Sequence, residues 1–316
     1  MASPTSSNAV GRADLSGYVS EHVLSTRAFV APQLLGVIPT PEKEGDFSRI
    51  PSKASSQISI APRAPRSAYA QIDFEVEGDS YKCEEYGVEI HVDDSEAAQY
   101  QSRFDLEAAS SEIATNSLMV AAEKRTADLV ENGFAANDVA EEWDDADNAT
   151  PIDDVFKGRE VVRDACGVYP DTLVLNPKHL TDLSVCNQIV DRVKHTNGQV
   201  SRGELDLSFF ETLFQVERIL VPFGRYNSAN DGAAEVLTDI WPQEWAFLAV
   251  TNGGPSTLTP RVGAMFAWES DGGVMTVEQY RAERERSDVL RVRQHVDEKI
   301  FSTRFGYRLG NLVTTA

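Results

Sequence analysis

The sequence predicts an α+β protein whose important contacts lie between subunits. Three observations predict it. The first 68 residues are rich in proline yet keep recurring apolar residues. Apolar and acidic side chains alternate strictly from Gln71 onward. A run from Asp105 to Asn132, free of proline and glycine, then leads into a denser stretch of mixed helix and strand signals. With 316 residues, the chain is long enough for one large domain or two small ones.

Half of the 14 prolines fall in the first 68 residues, at 4, 32, 39, 41, 51, 62 and 65. Each removes a backbone donor and fixes φ, which excludes long helices there. Tyr18, Val19, Val23, Leu24, Phe29, Val30, Leu34, Leu35, Val37 and Ile38 nevertheless recur. A solvated tail gains nothing from them, so the segment reads as an extended arm that needs a surface to lie on. Next, Ile72, Phe74 and Val76 alternate with Asp73, Glu75 and Glu77, the period of a strand with one wet face. Gly78-Asp79 reads as a turn, Tyr81 and Cys83 as the return strand, and Val88, Ile90 and Val92 as a further strand. Together they predict a long hairpin with little core of its own.

The run from Asp105 to Asn132 predicts one helix of roughly 42 Å. Asp105 suits the N-cap, Glu107 the positive first turn, and Asn132-Gly133 the stop. Its expected buried row is thin: Leu106, Ala109, Ile113, Val120, Ala127 and Val130. Beyond it, Thr150-Pro151-Ile152-Asp153 starts a helix that should end at Cys166-Gly167. Strands are predicted at Thr172–Leu175, Val216–Val221 and Trp245–Val250, with a helix opening at Asn176-Pro177. Thr276 with Gln279 has capping-box spacing and predicts a helix through about Arg286. Leu290, Val292 and Val296 then oppose Arg291, Arg293 and His295 on a strand.

Charge excludes one class of function. The formal net charge is −21, of which residues 70–160 carry −19, residues 161–316 carry −4, and residues 1–69 carry +2. A chain that grips nucleic acid needs an excess of cations, and here 50 acidic side chains outnumber 29 basic ones. The N-terminus has no basic head followed by an apolar run, and no stretch reaches a membrane-spanning length. The chemical inventory is also thin. Cys83, Cys166 and Cys186 are odd in number and widely spaced, so reduced thiols are expected. His22, His91, His179, His195 and His295 form no i, i+4 pair. The carboxylates from Glu141 to Asp147 lack the glycine and terminal glutamate of a calcium loop and read as a solvated acidic loop. Neither a nucleophile elbow nor a phosphate loop occurs, and Cys166 sits at a helix C-terminus, where the dipole opposes a thiolate. The reading is therefore no catalytic residue, no cofactor and no metal. The arginines at 281, 284, 286, 291 and 293 are interleaved with Glu278, Glu283, Glu285 and Asp288, which favours salt-bridged packing over a nucleic-acid stripe.

Several segments resemble the tailed-phage major capsid proteins of the Hong Kong 97 type. They are DTLVLNP at 171–177, CNQIVDRVKHTNG at 186–198, FQVERILVPFGRYNSA at 214–229, DIWP from Asp239 with WAFLAV after it, and VLRVRQHVDEKIFSTRFGYRLGNLV at 289–313. Upstream, HVDD at 91–94 followed by the long helix resembles that family's extended loop and spine helix. The resemblance covers roughly residues 45–316 and rests on segment order, because the family has no short catalytic signature. It implies an N-terminal arm over 1–45, an extended loop over 46–95, and the spine helix with the first part of a peripheral domain over 96–149. An axial domain would follow over 150–262, and the rest of the peripheral domain over 263–316.

The implied function is that of a non-enzymatic shell protein. It would self-assemble as hexamers and pentamers into an icosahedral head around double-stranded DNA, without sequence-specific binding and without a membrane. Fewer than about 70 residues precede the loop strands, which implies a separate scaffolding protein or none, and a portal and a decoration protein are the other implied partners. The virion, assembled in host cytoplasm, is the implied location. An encapsulin-like compartment enclosing an enzyme cargo is the alternative on the same fold, and a metal-dependent enzyme using the 141–154 carboxylates is the alternative from another class. Residues expected at contacts between subunits are Val23, Leu24, Phe29 and Val30 of the arm, Ile72, Phe74 and Val76 of the loop, and Arg281, Arg284, Arg291 and Arg293.

Overall fold

The computed structural model describes residues 10–11, 29–49, 62, 66, 77–100, 106–196, 206–230, 232–251, 259–269 and 275–314. In chain order the first half gives β1 (Val10–Gly11), α1 (Ala31–Leu35), β2 (Val37–Thr40), β3 (Glu44–Arg49), β4 (Glu77–Lys82), β5 (Glu84–Asp93), α2 (Asp94–Tyr100) and α3 (Leu106–Gly133). Then come β6 (Ala136–Asp138), α4 (Pro151–Cys166), β7 (Thr172–Val174), α5 (Pro177–Val185), α6 (Asn187–Thr196) and α7 (Leu207–Phe214). The remainder is β8 (Arg218–Leu220), β9 (Arg225–Asn227), β10 (Leu237–Asp239), β11 (Ala246–Ala249), β12 (Gly263–Trp268), β13 (Thr276–Ala282), β14 (Ser287–Ile300) and β15 (Gly306–Gly310).

Strand β14 organises a six-stranded sheet. One of its edges carries β5, in register from Ser287↔Asp93 to Val296↔Glu84. The other carries β13 and then β12, end to end, from Ala282↔Ser287 to Gly263↔Ile300. Strand β2 runs parallel outside β12, and β1 lies outside β13. A second sheet has the order β6-β15-β11-β7-β8. The pairs β3–β4 and β9–β10 form small two-stranded sheets.

Alternation along the second sheet gives it two buried faces. Leu173, Ile219, Ala246 and Leu248 lie under Ile152, Val155 and Val162 of α4. Val174, Leu220, Phe247 and Ala249 share a core with Leu34 and Leu35 of α1 and with Ala127 and Val130 of α3. Upstream, α3 packs across β14 and β5, where Ala114, Leu118 and Met119 meet Val277, Leu290, Val292 and Val92.

Local signals set several boundaries. Helix α4 starts at Pro151 and ends on Gly167, whose φ of 79° is left-handed and suits a residue without Cβ. The Asn176 side chain accepts the Lys178 amide at 2.9 Å to cap α5.

Four expectations are corrected. Ile113 is 64% exposed, because the buried stripe of α3 lies one residue round and includes Ser110, Ser111, Thr115 and Thr126. The hydroxyls of Ser111 and Thr115 donate to the carbonyls of Glu107 and Ser111 at 2.9 and 2.7 Å, so small polar residues can be buried there. Gly78 and Asp79 lie inside β4, opposite Ser48 and Phe47, because β3 supplies a partner strand. Strand β5 is no arm of a coreless hairpin; β14 pairs along its whole length. Thr276 and Gln279 belong to β13, where the ladder to β14 outweighs a local cap, and Arg286 takes the left-handed φ of 49° in the connecting turn. Strand β15 lies in the same sheet as β7, β8 and β11.

Candidate assembly surface

The cross-strand register builds a ladder of charges on the six-stranded sheet. Arg291 stands opposite Glu278 of β13 on one side and Glu89 of β5 on the other. Its guanidinium reaches Glu89 at 2.6 Å and Glu278 at 3.5 Å. Two residues on, Arg293 meets Glu278 at 2.6 Å and Glu85 at 3.8 Å. At the end of the hairpin Arg281 forms a bidentate pair with Asp94, both contacts 2.6 Å, and also meets Asp288 at 3.3 Å. The hydrogen bonds with Arg281 hold the Asp94 carboxyl below its ordinary range, and Asp94 in turn raises the Arg281 guanidinium.

Three of the four arginines expected to reach neighbouring subunits are therefore engaged within their own chain, and the physical reason is register. Arg284 lies exposed on the turn between β13 and β14. Phe29 and Val30, expected between chains, are buried in their own: Phe29 against Ala114, Leu118 and Met119, and Val30 beside Leu34 and Ala127. Val23, Leu24, Ile72, Phe74 and Val76 lie outside the described residues.

Glu123 anchors the start of α1, and sequence reasoning missed it. Fully buried on α3, its carboxylate accepts the amides of Val30 at 3.0 Å and Ala31 at 2.9 Å and the Trp241 indole at 2.6 Å. Burial pushes its pKa up, and these three donors pull it down. The donors converge on both oxygens, which leaves a protonated acid no acceptor for its own O–H, so the ionised form fits the site. The signal was present as a lone carboxylate four residues from both Met119 and Ala127 on the stripe that is buried.

The acidic loop also has a structural use. The backbone amide of Trp143 donates to Leu312 O at 2.7 Å, and its indole donates to Asp154 at 3.1 Å. Thr314 donates to Glu142 at 2.9 Å through its hydroxyl and to Asp144 at 3.2 Å through its amide. The loop read as solvated acid thus fastens the strand end after β15. Among the described residues no group of three or more His, Cys, Asp or Glu side chains is placed to hold a metal ion. Burial pushes the Cys83 and Cys166 thiols up, which opposes thiolate formation. No described helix is long and apolar enough to cross a membrane.

The fold closely matches a phage-related protein from Bordetella bronchiseptica RB50, with a TM-score of 0.73, 20% identity, and 96% of this chain and 98% of that one covered. It also matches the capsid of Myoviridae phage XM1, with a TM-score of 0.52, 11% identity, and 88% and 90% covered. The chain has the Hong Kong 97-type phage capsid fold. In sequence, this capsid-fold chain is 27% identical over 237 residues to the major capsid protein of Burkholderia phage BcepMu, covering 72% of this chain and 73% of the relative. No protein-family model matches it.

Proposed function

We propose that the chain is the major capsid protein of a tailed phage, assembling as hexamers and pentamers into an icosahedral head around double-stranded DNA. One observation carries the reading: the capsid fold extends over nearly the whole chain, and the matching curated relative is itself a phage major capsid protein. The protein is structural rather than catalytic and belongs in the virion, with assembly in host cytoplasm. Residues 1–45 serve as the arm and 46–95 as the extended loop, with α3 as the spine of the peripheral part. The axial part is built on the second sheet. A separate scaffolding protein, a portal and a decoration protein are the partners.

The charge suits containment. Many carboxylates of the −19 segment serve their own chain, Glu89 and Glu85 on the ladder, Asp94 at Arg281 and Glu123 under the arm. Those left over make a wall that repels phosphate and lets the genome move during packing and ejection. The test is to express the chain with its scaffolding protein and image the products by electron microscopy. Closed icosahedral shells are expected, and small monomers under every condition would refute the reading. Nucleic acid inside shells recovered from infected cells, rather than an enzyme cargo, separates a phage head from an encapsulin-like compartment.

A further inference from the structure

Arg159 is a buried cation with no anion beside it among the described residues. It is only 7% exposed, and no carboxylate among the described residues pairs with it. One Nη donates to the Gln215 side chain at 3.0 Å, and the guanidinium lies 5.3 and 5.0 Å from the Phe156 and Tyr169 rings. Its Nε has no hydrogen-bond partner among the described residues. Rings and one neutral amide satisfy part of a guanidinium, but a desolvated charge of this kind calls for a carboxylate. The surface beside it is apolar and open, with Tyr169 49% and Val168 42% exposed.

A second open apolar patch lies at the tip of the β9–β10 hairpin, where Val236 is 53% and Leu237 47% exposed. Glu235, next to Val236, is exposed and makes no ion pair among the described residues. The two patches belong to opposite faces of the second sheet. Helix α4, which carries Arg159, covers the face of Leu173, Ile219 and Leu248. The hairpin side packs through Tyr226, Ile240 and Trp241 on the face of Val174, Leu220 and Phe247. One patch lacks an anion, the other offers one, and the chain meets copies of itself when it builds a shell. Two different, complementary patches on opposite faces make a heterologous contact, the kind that closes into a ring.

We infer that Arg159 of one copy receives Glu235 of the next in a head-to-tail contact, with Tyr169 and Val168 packed on Val236 and Leu237. The inference rests on the shell-protein reading and assigns residues to one of its ring contacts. The experiment compares the full-length wild type, Arg159→Met, Glu235→Arg and the swapped pair Arg159→Glu with Glu235→Arg, each expressed with the scaffolding protein. Shell yield is read by sedimentation and electron microscopy, and folding by circular dichroism. Glu235→Arg, at an exposed site, should leave the fold intact and lower shell yield by about tenfold or more. Arg159→Met should give folded, unassembled chains, and the swapped pair should recover most of the yield. Shells at wild-type yield from Glu235→Arg, or a swapped pair no better than Glu235→Arg alone, would overturn the contact. A wild type that forms no shells would instead overturn the shell-protein reading.

Discussion

Acidification should loosen the start of α5 through His179. The imidazole is buried at the third helical position, where its Nδ1 accepts the Asn176 amide at 3.2 Å and its Nε2 donates to Gln243 O at 2.6 Å. Both bonds require the neutral ring, since a proton on Nδ1 would face another donor. Burial lowers the pKa from 6.5 to about 4. Between those values the folded chain binds fewer protons than the unfolded one. The stabilisation is complete above pH 6.5, falls as pH drops, and is lost once pH has passed through about 4. At about 1.4 kcal/mol per pH unit the full loss is about 3 kcal/mol. Urea unfolding of the unassembled chain at a series of pH values between about 7 and about 4 measures it, with His179→Gln as the reference. Glutamine is a natural partner at this capping position and does not titrate. The wild type should lose about 3 kcal/mol more than His179→Gln over that range. Parallel pH profiles for the two proteins would refute the reasoning.

Three further outcomes follow from the packing. Glu123→Ala should cost about 3 kcal/mol or more, since it strands three buried donors, and should speed amide exchange at Val30 and Ala31; unchanged exchange at those amides would show that the carboxylate does not hold the start of α1. Arg293→Met should cost about 2 kcal/mol in urea unfolding by leaving the partly buried Glu278 with only its longer contact to Arg291. Gly158→Ala would place a Cβ 2.8 Å from both Leu248 Cδ1 and Tyr307 Cδ1, so α4 must lift from the second sheet; a loss of about 1–2 kcal/mol and a lower unfolding midpoint are expected despite alanine's better helix propensity.

The elements that were legible in the sequence are those dictated by local chemistry. The long helix was readable from the absence of breakers and from its two ends, and α4 from its proline start and glycine stop. Strand β5 was readable from its period of two. What failed depends on partners distant in sequence. Nothing near Thr276 announces that Ser287–Arg293 will pair with it, and nothing near Gly78 announces β3. Ile113 misled because an apolar residue was assumed to mark the buried face, whereas serines and threonines that bond to their own helix carbonyls can line it. The charge ladder was the least legible part. Arg281, Arg291 and Arg293 were recognisable as ion-pair donors, but only register identifies their acceptors, and Arg159 was hidden in the apolar pattern of α4.

The positions of β14 and β15 bear on when the protein can fold. Residues 287–310 supply the strand that joins β5, β13 and β12 in one sheet and the strand that joins β6 to β11 in the other. Until they leave the ribosome, β5 and β6 have no edge to pair with, and the long helix has only part of the surface it covers. Such late, non-local closure slows folding and keeps earlier segments waiting. A chain interrupted before this stretch would lack both joining strands at once. Fragments made by premature termination would then have neither sheet completed and would leave the edges of β5 and β6 unpaired.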